Sequence, residues 1–352
     1  MLMEDLCMQN FKKSLRSAIV FIVCLLSAFS FIVFPCFQNG SDYNDSAARQ
    51  KLSGKINYIF SGASHALAAF VPDVVDKKLN VCSWNLSTSS ASLNGRKTLL
   101  EKELSRNTVD TVVIDISFDT LLRSQKNENA TGEPMIICKL DNSVERFRYL
   151  IENVSLFNGD YENIISIFLR YGLKAWVAKL SGEFGTLQNN KGFMPDPSVD
   201  VSLSKDRIAY AYEINKLEID YLPENIDALN QTIELCKSHG ANVILAVVPI
   251  SEARIWRYAG WDKFFEEIKK ISDQNNCIFL DFNLIKNRFD VLDDKYSFNN
   301  ETHLSEAGAE AFSEAFSDII HRINNGEDIS NLFYSSYSDM IANSVYNDYL
   351  TK

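Results

Sequence analysis

Five short apolar runs, separated by helical patterns, limit what this chain can fold into more than any other feature. They span 56–60, 80–86, 111–116, 242–248 and 277–282. Val and Ile dominate the third and fourth, the composition of strands buried on both faces of a parallel sheet. Helical candidates lie between them: 72–78, with Pro72 in its first turn, then 95–105, 223–239 and 261–274. A last one, 304–323, carries apolar residues at helical period. This alternation predicts an α/β fold, a doubly wound three-layer sandwich around a five-stranded, mostly parallel sheet.

Ahead of that rhythm, residues 18–34 read AIVFIVCLLSAFSFIVF without a charge. Residues 17–37 are about long enough to cross a hydrocarbon core. Lys12, Lys13 and Arg16 precede the span, while Asp42 and Asp45 follow it. The positive-inside rule therefore keeps residues 1–16 in the cytoplasm and puts everything beyond about residue 38 outside. The run is longer than a signal-peptide core and no A-x-A-like site follows, so it reads as one uncleaved transmembrane helix. The expected protein is a single-pass membrane protein with an extracytoplasmic domain.

Residues 38–54 are polar and read as a linker, and 55–323 as the α/β domain. The stretch from about 120 to 220 interrupts the domain. Helical patterns at 146–153 and 161–180 are followed there by a Gly/Pro/Asn/Asp-rich loop over 188–202. That is too long for a plain connection and suits a lid or a substrate-shaping cap. The tail, 324–352, is polar but studded with Phe333, Tyr334, Tyr337, Tyr346 and Tyr349, to pack over the domain or meet a partner.

With a net charge of −11 over 352 residues, and no basic stripe, the chain is not expected to bind nucleic acid. Its 7 cysteines are scattered singly, without metal-ligand spacing. Cys82 and Cys277 fall in apolar runs and are expected to be buried thiols. No phosphate loop, paired CxxC or HExxH occurs, and neither metal nor organic cofactor is implied.

In an open parallel sheet, ligands bind beyond the carboxyl ends of the strands, where strand order reverses. Ser64 follows the first run, within Gly62-Ala63-Ser64-His65. Asn85-Leu86-Ser87-Thr88-Ser89 ends the second, and Ser117, Phe118 and Asp119 follow the third. His303 follows the fifth, where the last helix opens. With strand order 2-1-3-4-5, all these loops share one rim. A serine whose proton passes to a neutral imidazole, with donors for an oxyanion, is equipped for acyl transfer. The donors would come from the Ser64 N–H and from the Ser87 and Ser117–Asp119 loops. Taken singly, Ser64 is a turn residue or cap and His303 an ordinary helix-start residue; their shared rim is what points to chemistry.

The order and flanks of these pieces resemble the SGNH/GDSL hydrolase superfamily over roughly residues 55–323. They are most similar to its membrane-anchored, cell-envelope branch, related to teichoic-acid D-alanyl transfer and alginate acetylation proteins. The matching blocks are Gly62-Ala63-Ser64-His65, Asn85-Leu86-Ser87, residues 112–119, and His303-Leu304 followed by Gly308-Ala309. The resemblance implies the flavodoxin-like SGNH fold, Ser64 as nucleophile and His303 as general base. It also implies that His65, Asn85, Ser87, Ser117 and Asp119 surround the oxyanion and substrate.

Two positions depart from the pattern. Asn300 stands where the family has an aspartate, three residues before the histidine, and Ser87-Thr88-Ser89 occupy a stretch that usually offers a glycine N–H. An amide can orient an imidazole but supplies no charge to the imidazolium; in a Ser-His-Asp protease the same exchange costs about 10⁴ in rate. Glu301, next door, is the neighbouring candidate for that charge. The resemblance implies a serine esterase or O-acyltransferase working on acyl esters of an envelope polysaccharide. Its partners would be that glycan or its acyl donor, and a membrane-bound O-acyltransferase. The competing expectation is an SGNH-fold binding or assembly subunit that has lost turnover.

Overall fold

The computed structural model describes residues 12–24, 27, 48–117, 120–121, 132–141, 143–153, 190–199, 221–251, 254–255, 260–286, 291–292 and 297–343. Its centre is a five-stranded sheet of β1 (Tyr58–Ser61), β2 (Ser83–Asn85), β3 (Thr111–Asp115), β4 (Asn242–Val247) and β5 (Ile278–Asp281). The order is β2-β1-β3-β4-β5, and every pairing is parallel. The expected mostly parallel sheet is thus all-parallel, in the flavodoxin-like order. Each strand lies within its expected run or one residue beyond it.

Alternation along the strands divides the core in two. Ile59, Val112, Ile114, Val243 and Leu245 face one layer, against Leu99 and Leu100 of α3 (Leu93–Arg106), Leu229 and Ile233 of α6 (Pro223–Ser238), and Phe264 and Ile268 of α7 (Trp261–Gln274). Tyr58, Phe60, Val113, Ile244 and Ala246 face the other, against Val75 of α2 (Pro72–Leu79) and Phe312 and Phe316 of α8 (Glu306–Asn324). Phe60, Phe70, Phe312 and Phe316 interlock there, with Phe60 stacked on Phe70 at 4.3 Å. The result is the three-layer sandwich that the β-α rhythm requires.

Among the described residues, several short helices have no counterpart in the periodic patterns. The four-residue α1 (Ser64–Leu67) follows β1 directly, too short for a 3.6-residue period to register. Within the interrupting region, α4 (Glu133–Lys139) and α5 (Ser143–Glu152) are helical. The expected helix at 161–180 lies outside the described residues, as does Asp119. Cys82 and Cys277 are only half-buried because each precedes its strand; the fully buried thiol is Cys236 on α6.

Both flanks of the domain are tied in. Arg49, from the stretch read as linker, is 1% exposed and lies 3.0 Å from Glu103 of α3. It also donates to the Lys139 carbonyl at 2.6 Å. Breaking a buried ion pair of this kind from one side typically destabilises by about 3–5 kcal/mol. In the tail, Tyr337 of α9 (Tyr337–Asn343) is buried, stacks on Trp261 at 4.9 Å and donates to Asp281 at 2.8 Å. The aromatic tail therefore closes over the β5 side as far as residue 343.

Segment 190–199 runs along the opposite side of the sheet. There the Asn85 N–H of β2 donates to the Lys191 carbonyl at 2.9 Å, and the Met194 N–H to the Leu67 carbonyl at 3.1 Å. Among the described residues no helix is long and apolar enough to cross a membrane. Residues 12–24 are helical, with Ile19, Val20, Phe21, Ile22 and Val23 all exposed. Most of 25–37 lies outside the described residues.

Candidate active site

Strand order reverses between β1 and β3, and the chain turns out of β1 directly into α1. Gly62 makes that turn possible. A Cβ there would lie 2.4 Å from Ala66 Cβ and 2.8 Å from Asp115 Cβ, closer than side-chain atoms approach. Asp115, at the end of β3, is wholly buried beneath the turn. Its Oδ1 accepts from the Val248 N–H at 3.4 Å. Burial pushes its pKa up to about 6, opposed by the nearby Arg96 guanidinium and by the Val248 and Ala63 N–H dipoles. Asp115 thus packs directly under Gly62, in the turn that leads to Ser64. Ser64 itself is partly exposed at the first position of α1, where a first-turn N–H has no intrahelical acceptor.

The second loop is bonded into this turn. Thr88 N–H donates to the Gly62 carbonyl at 3.1 Å. Asn85 is completely buried; its Nδ2 donates to the Ala66 and Phe70 carbonyls at 2.9 and 3.0 Å, and its Oδ1 accepts the Ser87 N–H at 3.1 Å. Asn85 therefore supports α1 from below, rather than facing a substrate as its block suggests. The Ser87 N–H is likewise committed, and its carbonyl takes Lys139 Nζ at 2.7 Å. The Ser87 hydroxyl is buried without a partner among the described residues. In the third loop, Ser117 Oγ pairs with Thr120 Oγ1 at 2.8 Å, and Arg96 joins Thr120 at 3.2 Å.

His303 comes from a tight hairpin. Phe298 and Leu304 form an antiparallel bridge, and the Ser305 N–H donates to the Ser297 carbonyl at 2.9 Å. Ser305 then caps α8, its hydroxyl accepting the Gly308 N–H at 3.2 Å. A Cβ on Gly308 would sit 2.1 Å from the Ser297 carbonyl oxygen, so the His-Leu…Gly-Ala spacing is a packing requirement of this turn. His303 is half-buried, and its ring lies 5.1 Å from that of His65, centroid to centroid. That contact brings the imidazole alongside the first turn of α1, where Ser64 sits. Ser64 and His303 are not hydrogen-bonded to one another. Catalytic pairs without substrate are often this loose.

Asn300 Oδ1 accepts the backbone N–H groups of Thr302 and His303 at 2.9 and 3.1 Å. Two backbone donors aimed at one atom identify it as the oxygen, so the amide orientation is not arbitrary. The same oxygen lies 3.0 Å from His303 Nδ1. Thr302 Oγ1 also lies 3.1 Å from Nδ1, but its proton goes to Asn300 Oδ1 at 3.0 Å, so both neighbours of Nδ1 act as acceptors, which favours the neutral ring with its proton on Nδ1 and a lone pair on Nε2. That is the tautomer a general base needs. Asn300 fills the orienting position; Glu301 instead has its carbonyl tied to Ser251, through N–H and hydroxyl bonds of 3.0 and 2.9 Å. Desolvation holds the His303 pKa below the usual histidine range, partly countered by the charge of Asp196.

The sequence reading did not single out Asp196, which sits on the 190–199 segment at the mouth of the His303 hairpin. Its Oδ2 accepts from Asn299 Nδ2 at 3.0 Å, and its carbonyl accepts the Glu306 N–H at 2.8 Å. The one available clue was its position in the Gly/Pro/Asn/Asp-rich loop at 188–202. Among the described residues no cluster of His, Cys, Asp or Glu is arranged to hold a metal ion. Comparison with known proteins assigns no family: no protein-family model matches the chain, and no curated protein aligns with it significantly.

Proposed function

We propose that this protein is a membrane-anchored, extracytoplasmic serine esterase or O-acyltransferase of SGNH type, acting on acyl esters of a cell-envelope polysaccharide. The observation that carries the reading is the placing of His303, its Nδ1 3.0 Å from Asn300 Oδ1 and its ring beside α1, which favours a lone pair on Nε2. In the proposed cycle Ser64 Oγ attacks the acyl carbonyl as its proton passes to His303 Nε2. The tetrahedral oxyanion collapses, the C–O bond to the departing sugar breaks, and the imidazolium returns its proton to that oxygen. Water or a second sugar hydroxyl then attacks the acyl-serine, losing its proton to the same nitrogen; the second tetrahedral oxyanion collapses, the bond from the acyl carbon to Ser64 Oγ breaks, and that oxygen takes the proton back from His303.

Other features support the polymer and the membrane. A pocket of about 600 Å³, lined among others by Val74, Pro195, Glu306 and Glu310, lies where segment 190–199 meets the start of α8 and offers room for part of a polymer. The exposed apolar face on helix 12–24 and the uncharged sequence that continues it suit an anchor through residues 17–37, with a membrane-bound acyl donor protein as partner. The alternative is a binding or assembly subunit of the same fold, favoured by the amide at position 300.

Fluorophosphonate labelling of the full-length protein separates the two. The esterase reading expects covalent labelling that is lost in Ser64→Ala and strongly slowed in His303→Ala. A wild-type serine that never labels, in protein shown to be folded, would select the binding reading.

A further inference from the structure

The charge missing from position 300 is present two side chains away. His303 Nδ1–H donates to Asn300 Oδ1 at 3.0 Å, Asn300 Nδ2 donates to Asn299 Oδ1 at 2.7 Å, and Asn299 Nδ2 donates to Asp196 Oδ2 at 3.0 Å. The Thr302 hydroxyl, 3.1 Å from His303 Nδ1, donates to Asn300 Oδ1 at 3.0 Å and so leaves Nδ1 facing two acceptors. The backbone N–H groups of Thr302 and His303 fix Asn300, and the carboxylate, which only accepts, fixes Asn299. All three bonds therefore run the same way, from ring to carboxylate, and aligned bonds polarise one another.

We propose that Asp196 is a positioning residue for His303, acting through the Asn299–Asn300 amide relay in place of a directly bonded carboxylate. As positive charge develops on the imidazole, each amide shifts electron density toward the ring, with the anion at the far end stabilising the array. No proton needs to leave His303 Nδ1. The arrangement also makes segment 190–199 part of the base assembly, since its Asp196 carbonyl holds the first N–H of α8.

The charged or titratable groups around the ring are Asp196 from this segment, His65 from α1, and Glu301 and Glu306 from the hairpin and α8. Of these, Asp196 is the one whose charge raises the His303 pKa, against a larger lowering by desolvation, while hydrogen bonds from Ser198 and, to a lesser degree, Asn299 and His303 hold the Asp196 pKa below the usual carboxylate range. Hydrogen bonds from Ser198 to Asp196 Oδ1, at 2.6 and 2.9 Å, keep that carboxylate in place.

The proposal rests on the esterase reading for its catalytic meaning, but its physical content can be measured without turnover. The chain has only 4 histidines, so ring-selective labelling resolves His303 by NMR in the full-length protein. Asp196→Asn should lower the His303 pKa, and Asp196→Glu should restore part of the shift. Asn299→Ala should lower it too, and adding Asp196→Asn to Asn299→Ala should change nothing more. In ester hydrolysis, the two single variants should lose about 10–100-fold, the range typical when the outer partner of a functional histidine is removed. Their acidic limb should move to lower pH, because an imidazole without the distant anion deprotonates more easily.

A His303 pKa unmoved by Asp196→Asn overturns the proposal. A shift with Asp196→Asn but none with Asn299→Ala overturns the relay in favour of a field through space. Absent labelling of Ser64 alongside the expected titrations would reject the esterase reading and leave the relay standing.

Discussion

The two halves of the candidate site each rest on an aspartate, in opposite surroundings. Asp115 lies fully buried under the Ser64 turn, with a pKa raised to about 6. Asp196 sits at the surface beside the His303 hairpin, with a lowered pKa. The first binds backbone N–H groups and sets where the chain goes. The second binds side-chain amides and supplies charge to a ring. Burial makes a carboxylate a good clamp but a reluctant anion, whereas partial exposure preserves the anion at the expense of field strength. A site needing both an exact turn and a responsive imidazole gains from dividing the tasks between two residues.

The largest expected effect tests whether the two halves work together at all. Ser64→Ala and His303→Ala should each lower ester hydrolysis by roughly 10³-fold or more, and the double variant should be no worse than either. Steady-state assays on matched, folded protein would show this; strongly multiplicative losses would mean that the halves act independently.

Next comes the clamp. The folded-state pKa of Asp115 lies above that of an unfolded aspartate, so protonation favours the folded state. Its contribution is full below about pH 4 and is lost as pH rises through about 6, a swing on the order of 3 kcal/mol. Asp115→Asn cannot ionise and should lack that part of the pH dependence, as read from denaturant melts at pH 4 and pH 7. Identical pH slopes in both proteins would place the buried carboxyl's titration elsewhere.

Moving the charge sharpens the comparison further. Asn300→Asp places an anion directly on the ring and should raise hydrolysis by about tenfold, roughly 1.4 kcal/mol in barrier. The gain stays far short of the about 10⁴ seen between aspartate and asparagine in a protease triad. The reason is that a carboxylate oxygen then replaces the amide nitrogen 2.7 Å from Asn299 Oδ1, where it meets a second acceptor. In that background Asp196→Asn should no longer matter; a full additional loss would contradict the substitution of one charge for the other. Smallest of all, Glu301→Gln should change the rate by less than about twofold, roughly 0.4 kcal/mol in barrier, since Asn300 already occupies the place beside His303 Nδ1. A severe loss would return the orienting role to Glu301.

What was legible in the sequence follows the same division. The parallel sheet comes from apolar periodicity and the alternation of β and α units, which are local and repetitive; its order, and with it the rim shared by Ser64 and His303, comes from the resemblance to a flavodoxin-like fold. Gly62 and the Gly308-Ala309 pair mark close approaches of backbone that leave a compositional trace. The Asn85 block was recognisable, but not that its amide is spent on the Ala66 and Phe70 carbonyls, because that depends on which way one side chain points. Asp196 and Asn299 are 103 residues apart, and the segment that carries Asp196, 190–199, has no periodic signal. Arg49 likewise sits in a polar stretch that resembles a linker in every respect except its buried partner on α3.

Segment 190–199 has a further consequence, for solubility. β2 ends the sheet on one side, and an uncovered strand edge is a template for pairing with another copy of the chain. The Lys191 carbonyl occupies the Asn85 N–H on that edge, while Lys191 Nζ is drawn down by Asp73 and Asp76 at 2.7 and 2.6 Å. The stretch that delivers Asp196 to the His303 hairpin is therefore also the guard of the sheet's open margin. Trimming it to simplify the domain would expose a sticky edge as well as remove a charge, so loss of activity and onset of self-association should appear together in shortened variants.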